Sequence, residues 1–277
     1  MLPLIRPTDL PALKNLHHFV LIDARYGPNA RQAYHDLHLD GARYVDLDAD
    51  LSQKGTSTAE GGRHPLPPLE HFQQVLGRLG ITPLSQVVVY DDKNGALAAA
   101  RFWWMLRAVG HQTVQVLDGG MQAALALGFP ANDHPVEVPS AAPYEATGWQ
   151  WPTASIEEVK AATESSAQLV IDVREADRYR GEREPLDKIA GHIPGAVNVP
   201  FAENLDATGQ FLPAEVLRRK YLELLASVSP SDAIVHCGSG VTACHTLLAM
   251  QQAGMELPKL YVGSWSEWSE SGGAVAT

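Results

Sequence analysis

The run Ala233-Ile-Val-His-Cys-Gly-Ser-Gly-Val-Thr-Ala-Cys-His-Thr-Leu-Leu-Ala-Met250 places an apolar β-type segment, a glycine-spaced turn and a helical pattern in immediate succession. Ile234 and Val235 read as a strand ending at His236, and the helical pattern begins near Val241. Cys237 stands at the junction. Backbone N–H groups gather around a side chain in that position. Together with the positive helix end they stabilise a thiolate and cradle an anion docked beside it. A cysteine after a strand is ordinarily core filler. A core strand, however, has no need of two glycines beside its last residue, so Cys237 reads as reactive. Cys244, about two helical turns further on among Ala243, Leu247 and Leu248, reads as packing.

With 277 residues, 45% hydrophobic and 19% charged, the chain is long enough for two domains of ordinary size and has the composition of a soluble globular protein. No apolar run approaches the roughly 18–20 residues that span a bilayer, so no membrane partner is expected. Met-Leu-Pro-Leu-Ile-Arg-Pro7 lacks the basic start and apolar stretch of a secretory signal. The only cysteines, Cys237 and Cys244, form neither a disulfide framework nor a CxxC zinc pair, which suits a reducing cytoplasm without a structural metal. The net charge of −11 argues against nucleic acid as a partner, since a phosphate backbone needs a basic face. A small anionic substrate remains compatible, because a few basic residues build a local positive pocket on an acidic protein.

Four blocks of this chain recur in the same order at a spacing of about 150 residues, which marks duplicated domains rather than a short-repeat array. Leu21-Ile-Asp-Ala-Arg25 returns as Val170-Ile-Asp-Val-Arg174, and His38-Leu-Asp-Gly-Ala-Arg-Tyr-Val-Asp-Leu47 as His192-Ile-Pro-Gly-Ala-Val-Asn-Val-Pro-Phe201. Val87-Val-Val-Tyr-Asp91 returns as Ala233-Ile-Val-His-Cys237, and Val116-Leu-Asp-Gly-Gly120 corresponds to Tyr261-Val-Gly-Ser264. In the first copy strands are expected near Phe19–Ala24, Tyr44–Asp46, Val87–Tyr90 and Thr113–Leu117. Helices are expected near Asn29–His38, Leu69–Leu79, Ala96–Val109 and Gly120–Ala126. This alternation predicts an α/β fold in which each copy is a mainly parallel sheet flanked by helices, with sites at the carboxyl ends of the strands. The expected division is 1–130 and 154–277, joined by a Pro- and Ala-rich linker at 131–153. Asp91 holds the cysteine position in the first copy, so that half cannot perform thiolate chemistry and the chain has one reactive site.

These features together resemble the tandem rhodanese-domain sulfurtransferases. His192-Ile-Pro-Gly-Ala196 with Tyr179 upstream is similar to the family's N-terminal signature, and Gly263-Ser-Trp-Ser-Glu-Trp268 to its C-terminal one, although Val262 departs from the residue types usual before that glycine. Cys237-Gly-Ser-Gly-Val-Thr242 resembles the loop of the 3-mercaptopyruvate branch. The thiosulfate-preferring branch usually has basic residues in this loop, and this one has none. A doubly charged donor gains from cations beside the sulfur. Gly238, Ser239 and Gly240 offer only backbone N–H groups and one hydroxyl, which suits a singly charged carboxylate donor held farther out.

The resemblance implies a two-step transfer with no cofactor. Cys237 takes sulfur from a small anionic donor as a persulfide and passes it to a thiol, cyanide or thioredoxin-like acceptor. It implies Cys237, Ser239, His64 and Asp48 as the catalytic set, with His64 in Gly61-Gly-Arg-His-Pro65 brought to the cysteine from the first domain and Asp48 as its acidic partner. A relay through Ser239 and His64 would move a proton as the leaving enolate forms. Gly238, Gly240, Val241 and Thr242 would line the donor. Arg178, in Asp177-Arg-Tyr-Arg-Gly181, matches the arginine that receives the donor's carboxylate or keto oxygen. The family's usual second arginine, a few residues after a Glu-Pro pair, is missing behind Glu184-Pro185; Arg183, Lys188 and Arg180 are the candidates to replace it.

Strand alternation points His236 away from the sulfur. Asp172 and Arg174, like Asp23 and Arg25, are expected to tie strand to loop. Trp103 and Trp104 are expected to pack between the domains, and Trp265 and Trp268 in the core and at the cleft edge. Cysteine phosphatases of the same fold are a poor fit, because their loop ends in an arginine that holds the phosphoryl oxygens and this one has Ala243 there. Thiosulfate:cyanide sulfurtransfer is the alternative activity. A non-catalytic persulfide carrier is the remaining reading, and the intact cysteine loop argues against it.

Overall fold

Val87-Val-Val-Tyr90 and Ala233-Ile-Val-His236, the two most apolar runs of the repeat, each become an interior strand of a parallel sheet. The computed structural model describes residues 1–277 apart from Lys54, Thr56 and Ser140, the last of these within the expected linker. The chain forms two compact units. One comprises Met1–Ser52, Pro67–Trp151 and Thr208–Gln210; the other comprises Gln53–Leu66, Pro152–Ala207 and Phe211–Thr277.

The first unit runs β1 (Leu4–Ile5), α1 (Leu10–Lys14), β2 (Phe19–Asp23), α2 (Ala30–Asp36), β3 (His38–Leu39), β4 (Arg43–Tyr44), α3 (Leu69–Arg78), β5 (Gln86–Tyr90), α4 (Ala98–Ala108), β6 (Val114–Leu117), α5 (Gly120–Ala126) and β7 (Ala131–Asn132). Its main sheet is parallel, in the order β1-β6-β5-β2-β4, and β3 pairs antiparallel with β7. Val87, Val88 and Val89 are all buried. Both faces of β5 are therefore covered, which is why the strand reads as continuous rather than alternating.

The second unit runs α6 (Ile156–Thr163), β8 (Leu169–Asp172), α7 (Ala176–Tyr179), β9 (Val197–Asn198), α8 (Ala214–Leu225), β10 (Ala233–His236), α9 (Ala243–Gln252), β11 (Lys259–Leu260) and α10 (Ser264–Glu270). Its strands lie in the order β11-β10-β8-β9, all parallel. Ser155 opens α6 with a capping box, its hydroxyl accepting from the Glu158 amide while the Glu158 carboxylate accepts from the Ser155 amide.

The repeat holds at side-chain level. Arg25 Nε donates to both oxygens of Asp23, and Arg174 Nε does the same to Asp172. The other guanidinium nitrogens fasten a loop, Arg25 to the Leu37 carbonyl at 2.6 Å and Arg174 to that of Gly191 at 2.7 Å. Tyr34 stacks on His38 at 4.2 Å and Tyr179 on His192 at 3.7 Å, the tyrosine hydroxyls donating to the Ala42 and Ala196 carbonyls respectively. Each buried ion pair thus sets the turn that follows its strand.

Two expected element bounds change. β4 stops at Tyr44 because the Asp46 carboxylate accepts the Asp48 and Ala49 amides and turns the chain. The helix after Cys237 begins at Ala243 rather than near Val241, since the turn continues through Thr242. Trp103 and Trp104 find ring partners within their own unit: Trp103 lies against Trp151, and Trp104 against Trp149 and Trp151. Those tryptophans belong to the segment after β7, which also hydrogen-bonds α3 through Tyr144 and Gln73. Its indole rings lie against the two tryptophans of α4.

Fully buried His245 stacks on Phe211, and its pKa is pushed down to about 3 by burial, with the Lys220 charge adding to the shift. The unfolded chain takes up a proton near the ordinary histidine value of 6.5 that the native one refuses. Stability held above that pH is therefore lost as the pH falls toward 3, by roughly 2 kcal/mol at pH 5. The melting temperature should drop between pH 7 and pH 5, and His245→Gln should flatten that slope. Identical slopes in the two proteins contradict the assignment.

Candidate active site

Cys237 follows directly on β10, is 2% exposed and is a free thiol. Its amide donates to Ser264 Oγ at 3.1 Å, and that hydroxyl donates to the Tyr261 carbonyl at 2.9 Å. The Cys237 and Gly238 carbonyls accept the Trp265 and Ser266 amides, both at 3.0 Å. The turn at Cys237 is thereby pinned to the start of α10. Ser264 itself has φ +55°, while its first-unit counterpart Gly120 has +60°. A serine in the left-handed region is strained, and its hydroxyl accounts for its presence. Sequence reasoning missed Ser264. The signal was available: a glycine in one copy facing a serine in the other.

Gly240 has φ +72°, and a Cβ on it would stand 2.4 Å from the Val262 carbonyl oxygen. The Val241 and Thr242 carbonyls accept the Cys244 and His245 amides as α9 begins. Cys244 is fully buried and donates through Sγ to the Gly240 carbonyl at 3.4 Å, a packing position. His236 is fully buried too, with Nδ1 at 3.1 Å from the Cys237 carbonyl and Nε2 at 3.8 Å from the Asp172 carboxylate. Burial lowers its pKa even though Asp172 pulls the other way. Trp265 and Trp268 join the core of this unit, their indole N–H groups donating to the Ile189 and Ala274 carbonyls.

Two residues after the cysteine, Ser239 Oγ shares a 2.8 Å hydrogen bond with His64 Nδ1. Both are more than nine-tenths buried. His64 arrives on the 53–66 segment, which belongs to this unit and is fastened to α10: Gly61 donates its amide to Glu267 Oε1 at 2.7 Å, and Arg63 to Ser266 Oγ at 3.1 Å. Asp48 stands in the first unit, half-buried, its amide donating to Asp46 at 2.9 Å.

Arg178 comes from α7. Its Nη2 donates to Glu184 Oε1 at 2.7 Å, and a Cβ on Gly238 would lie 3.4 Å from that same nitrogen. A second guanidinium converges on the same point, since Arg63 Nη2 would be 3.1 Å from that Cβ. The absence of a side chain at Gly238 therefore admits two cations over the loop. The loop's own residues carry no cation, and the two guanidinium groups reach it from other segments. The named replacements for the missing arginine are engaged elsewhere: Arg183 with Asp177 at 2.6 Å, Arg180 with Glu182 at 2.7 Å and Lys188 with Glu270 at 3.1 Å, all well exposed.

The equivalent strand end in the first unit behaves differently. The fully buried Asp91 carboxylate accepts backbone N–H groups from Lys93, Gly95, Leu97 and Ala99 at 2.8–3.3 Å. Burial raises its pKa, and the four donors only partly offset that shift. This turn carries its own anion. Among the described residues, no cluster of His, Cys, Asp and Glu could hold a metal ion, and no helix is long and apolar enough to cross a membrane.

The rhodanese-like domain is matched over residues 7–126 and again over 155–271. The chain is 42% identical over 260 residues to the Pseudomonas aeruginosa protein named "Probable 3-mercaptopyruvate sulfurtransferase", across 90% of this chain and 86% of that one. It is also 36% identical over 256 residues to the thiosulfate sulfurtransferase of Rattus norvegicus, across 90% and 84%. The solved 3-mercaptopyruvate sulfurtransferase from Leishmania major superimposes with a TM-score of 0.76 at 32% identity, covering 96% of this chain and 74% of that one. The chain belongs to the rhodanese family, as a member with two tandem domains. Within it, the protein is a sulfurtransferase, similar to the 3-mercaptopyruvate enzymes.

Gly240→Ala should cost a few kcal/mol, about 1–3 from the left-handed backbone alone, and more from the clash with the Val262 carbonyl. Thermal unfolding and sulfurtransfer assays check this; a variant as stable and active as the parent contradicts the fit of the loop.

Proposed function

We propose that this sulfurtransferase moves sulfur from 3-mercaptopyruvate, through a persulfide on Cys237, to a thiol, cyanide or a thioredoxin-like protein. The Cys237 thiolate attacks the donor's sulfur. The carbon–sulfur bond breaks, its electron pair leaves with pyruvate as an enolate, and the sulfur stays as Cys237–S–SH. A proton delivered to the enolate carbon completes pyruvate. In the second half-reaction an acceptor thiolate or cyanide attacks the outer sulfur and regenerates the Cys237 thiolate. No cofactor is called for.

The observation that carries this reading is the 2.8 Å contact between Ser239 Oγ and His64 Nδ1, two residues from the sulfur. An enolate is a basic leaving group and needs a proton as it departs, which a serine–histidine pair beside the cysteine would supply. Sulfite leaving from thiosulfate is far less basic and has no such need. Arg178 would receive the donor's carboxylate, for which a planar guanidinium is well matched. Gly238, Gly240, Val241 and Thr242 would form the wall of the donor site. The two reduced cysteines suit a cytoplasmic location.

Thiosulfate is the second reading. It is favoured by the thiosulfate sulfurtransferase relative and by the two guanidinium groups over Gly238, which would also welcome a dianion.

Steady-state assays with both donors separate the readings. The expected outcome is a higher kcat/KM with 3-mercaptopyruvate, loss of activity in Cys237→Ser, and a fall of roughly 100-fold in kcat in His64→Ala with this donor, against little change with thiosulfate. A higher kcat/KM with thiosulfate overturns the donor assignment, and full activity in Cys237→Ser overturns the mechanism.

A further inference from the structure

The second arginine that usually accompanies the first in this family is missing from the loop after Glu184-Pro185, yet the turn of the nucleophile has two cations over it. Arg63 Nη2 and Arg178 Nη2 would lie 3.1 Å and 3.4 Å from a Cβ on Gly238, so both guanidinium groups converge over the residue that follows Cys237. Arg63 is no surface residue that happens to lie near: its side chain is 22% exposed, and its own amide is fastened to Ser266. We infer that Arg63 is the second substrate-binding cation, forming with Arg178 the pair that grips the donor's carboxylate, and that Asp187 occupies this pair until the donor displaces it. The inference rests on 3-mercaptopyruvate being the donor.

Asp187 has the features of a placeholder. It ion-pairs with Arg63 through Oδ1, and its Oδ2 stands 3.6 Å from Arg178 Nη2, too far for a good hydrogen bond. That buried Oδ2 has no hydrogen-bond partner, although the side chain is only 5% exposed. Glu184, 4% exposed, is the contrast. It accepts from Arg178 Nη2 and Nε and from the Leu186 and Asp187 amides, so its charge is secured. Burial opposes ionisation of both carboxyls. For Glu184 the donors win and the pKa falls below the usual value; for Asp187 burial wins and the pKa rises. Of the two anions beside the arginine pair, Asp187 is held less well. A donor carboxylate that bridges Arg63 and Arg178 replaces one under-satisfied carboxylate with a fully paired one. Arg63 lies one residue from His64, so the segment that brings the proton relay brings the carboxylate grip as well.

The test compares Arg63→Ala, Arg63→Lys and Asp187→Asn with the parent chain, following pyruvate release from 3-mercaptopyruvate in a single turnover and in the steady state. The parent should give a burst of pyruvate, which tests the donor itself. Arg63→Ala should raise KM for 3-mercaptopyruvate roughly tenfold to a hundredfold while leaving KM for a thiol acceptor unchanged. Arg63→Lys, which keeps the charge and loses the fork, should recover part of that. Asp187→Asn should lower the donor KM. Thermal unfolding of each variant shows that it is folded, and Arg63→Lys and Asp187→Asn keep the comparison open if Arg63→Ala is not. A parent burst with donor KM unchanged in the Arg63 variants overturns the assignment of Arg63 and leaves the donor standing. A rise in KM in Asp187→Asn overturns the placeholder. A parent without a pyruvate burst overturns the donor, and this inference with it.

Discussion

A strand that turns at once into a helix leaves several backbone N–H groups pointing at the side chain on the corner, and buried donors of this kind must find an acceptor. In the first unit they find Asp91, whose carboxylate accepts four of them. The second unit has Cys237 on the same corner and no carboxylate of its own there. That difference of one residue separates a turn filled by its own carboxyl group from one that carries a free thiol. Much of the surrounding structure serves to hold the second turn still. Ser264 braces the cysteine amide from a strained backbone, the Val262 carbonyl closes on Gly240, and the α10 amides take the Cys237 and Gly238 carbonyls.

The positive charge over Gly238 comes from outside the loop. Cys237-Gly-Ser-Gly-Val-Thr242 contains no cation, but Gly238 leaves room for Arg63 and Arg178 above it. The electrostatic argument for a singly charged donor is weaker than the loop sequence suggests, because two guanidinium groups would accommodate a dianion as well. The proton relay discriminates better. Under the proposed mechanism, Ser239 and His64 would supply what an enolate leaving group requires, and a loop of backbone donors alone would not. Arg63 and His64 are neighbours on one segment, so donor grip and proton delivery would be set by the same anchoring to Ser266 and Glu267.

The duplication, the parallel sheets and the turn that carries Cys237 were legible because they rest on local pattern. Val87-Val-Val and Ala233-Ile-Val read as covered strands, and Asp23-Ala-Arg25 and Asp172-Val-Arg174 as matching ties, with no knowledge of the tertiary fold. What stayed hidden depends on distant packing. Nothing in the order of the repeats shows that residues 53–66 join the second unit, and that membership is what brings Arg63 to Gly238. The sequence neighbours of the missing arginine, Arg183 and Lys188, form exposed ion pairs with Asp177 and Glu270. The ring partners of Trp103 and Trp104 were hidden for the same reason: Trp149 and Trp151 lie in a Pro- and Ala-rich stretch without helical or strand periodicity.

The most direct test is the mass of the intact chain and of its proteolytic peptides after brief exposure to 3-mercaptopyruvate without an acceptor. The account predicts one added sulfur atom, carried on the Cys237 side chain and absent from Cys244, with an equal amount of pyruvate released and the sulfur lost on adding a thiol. Pyruvate release with no sulfur on Cys237, or sulfur carried on Cys244 instead, would contradict it.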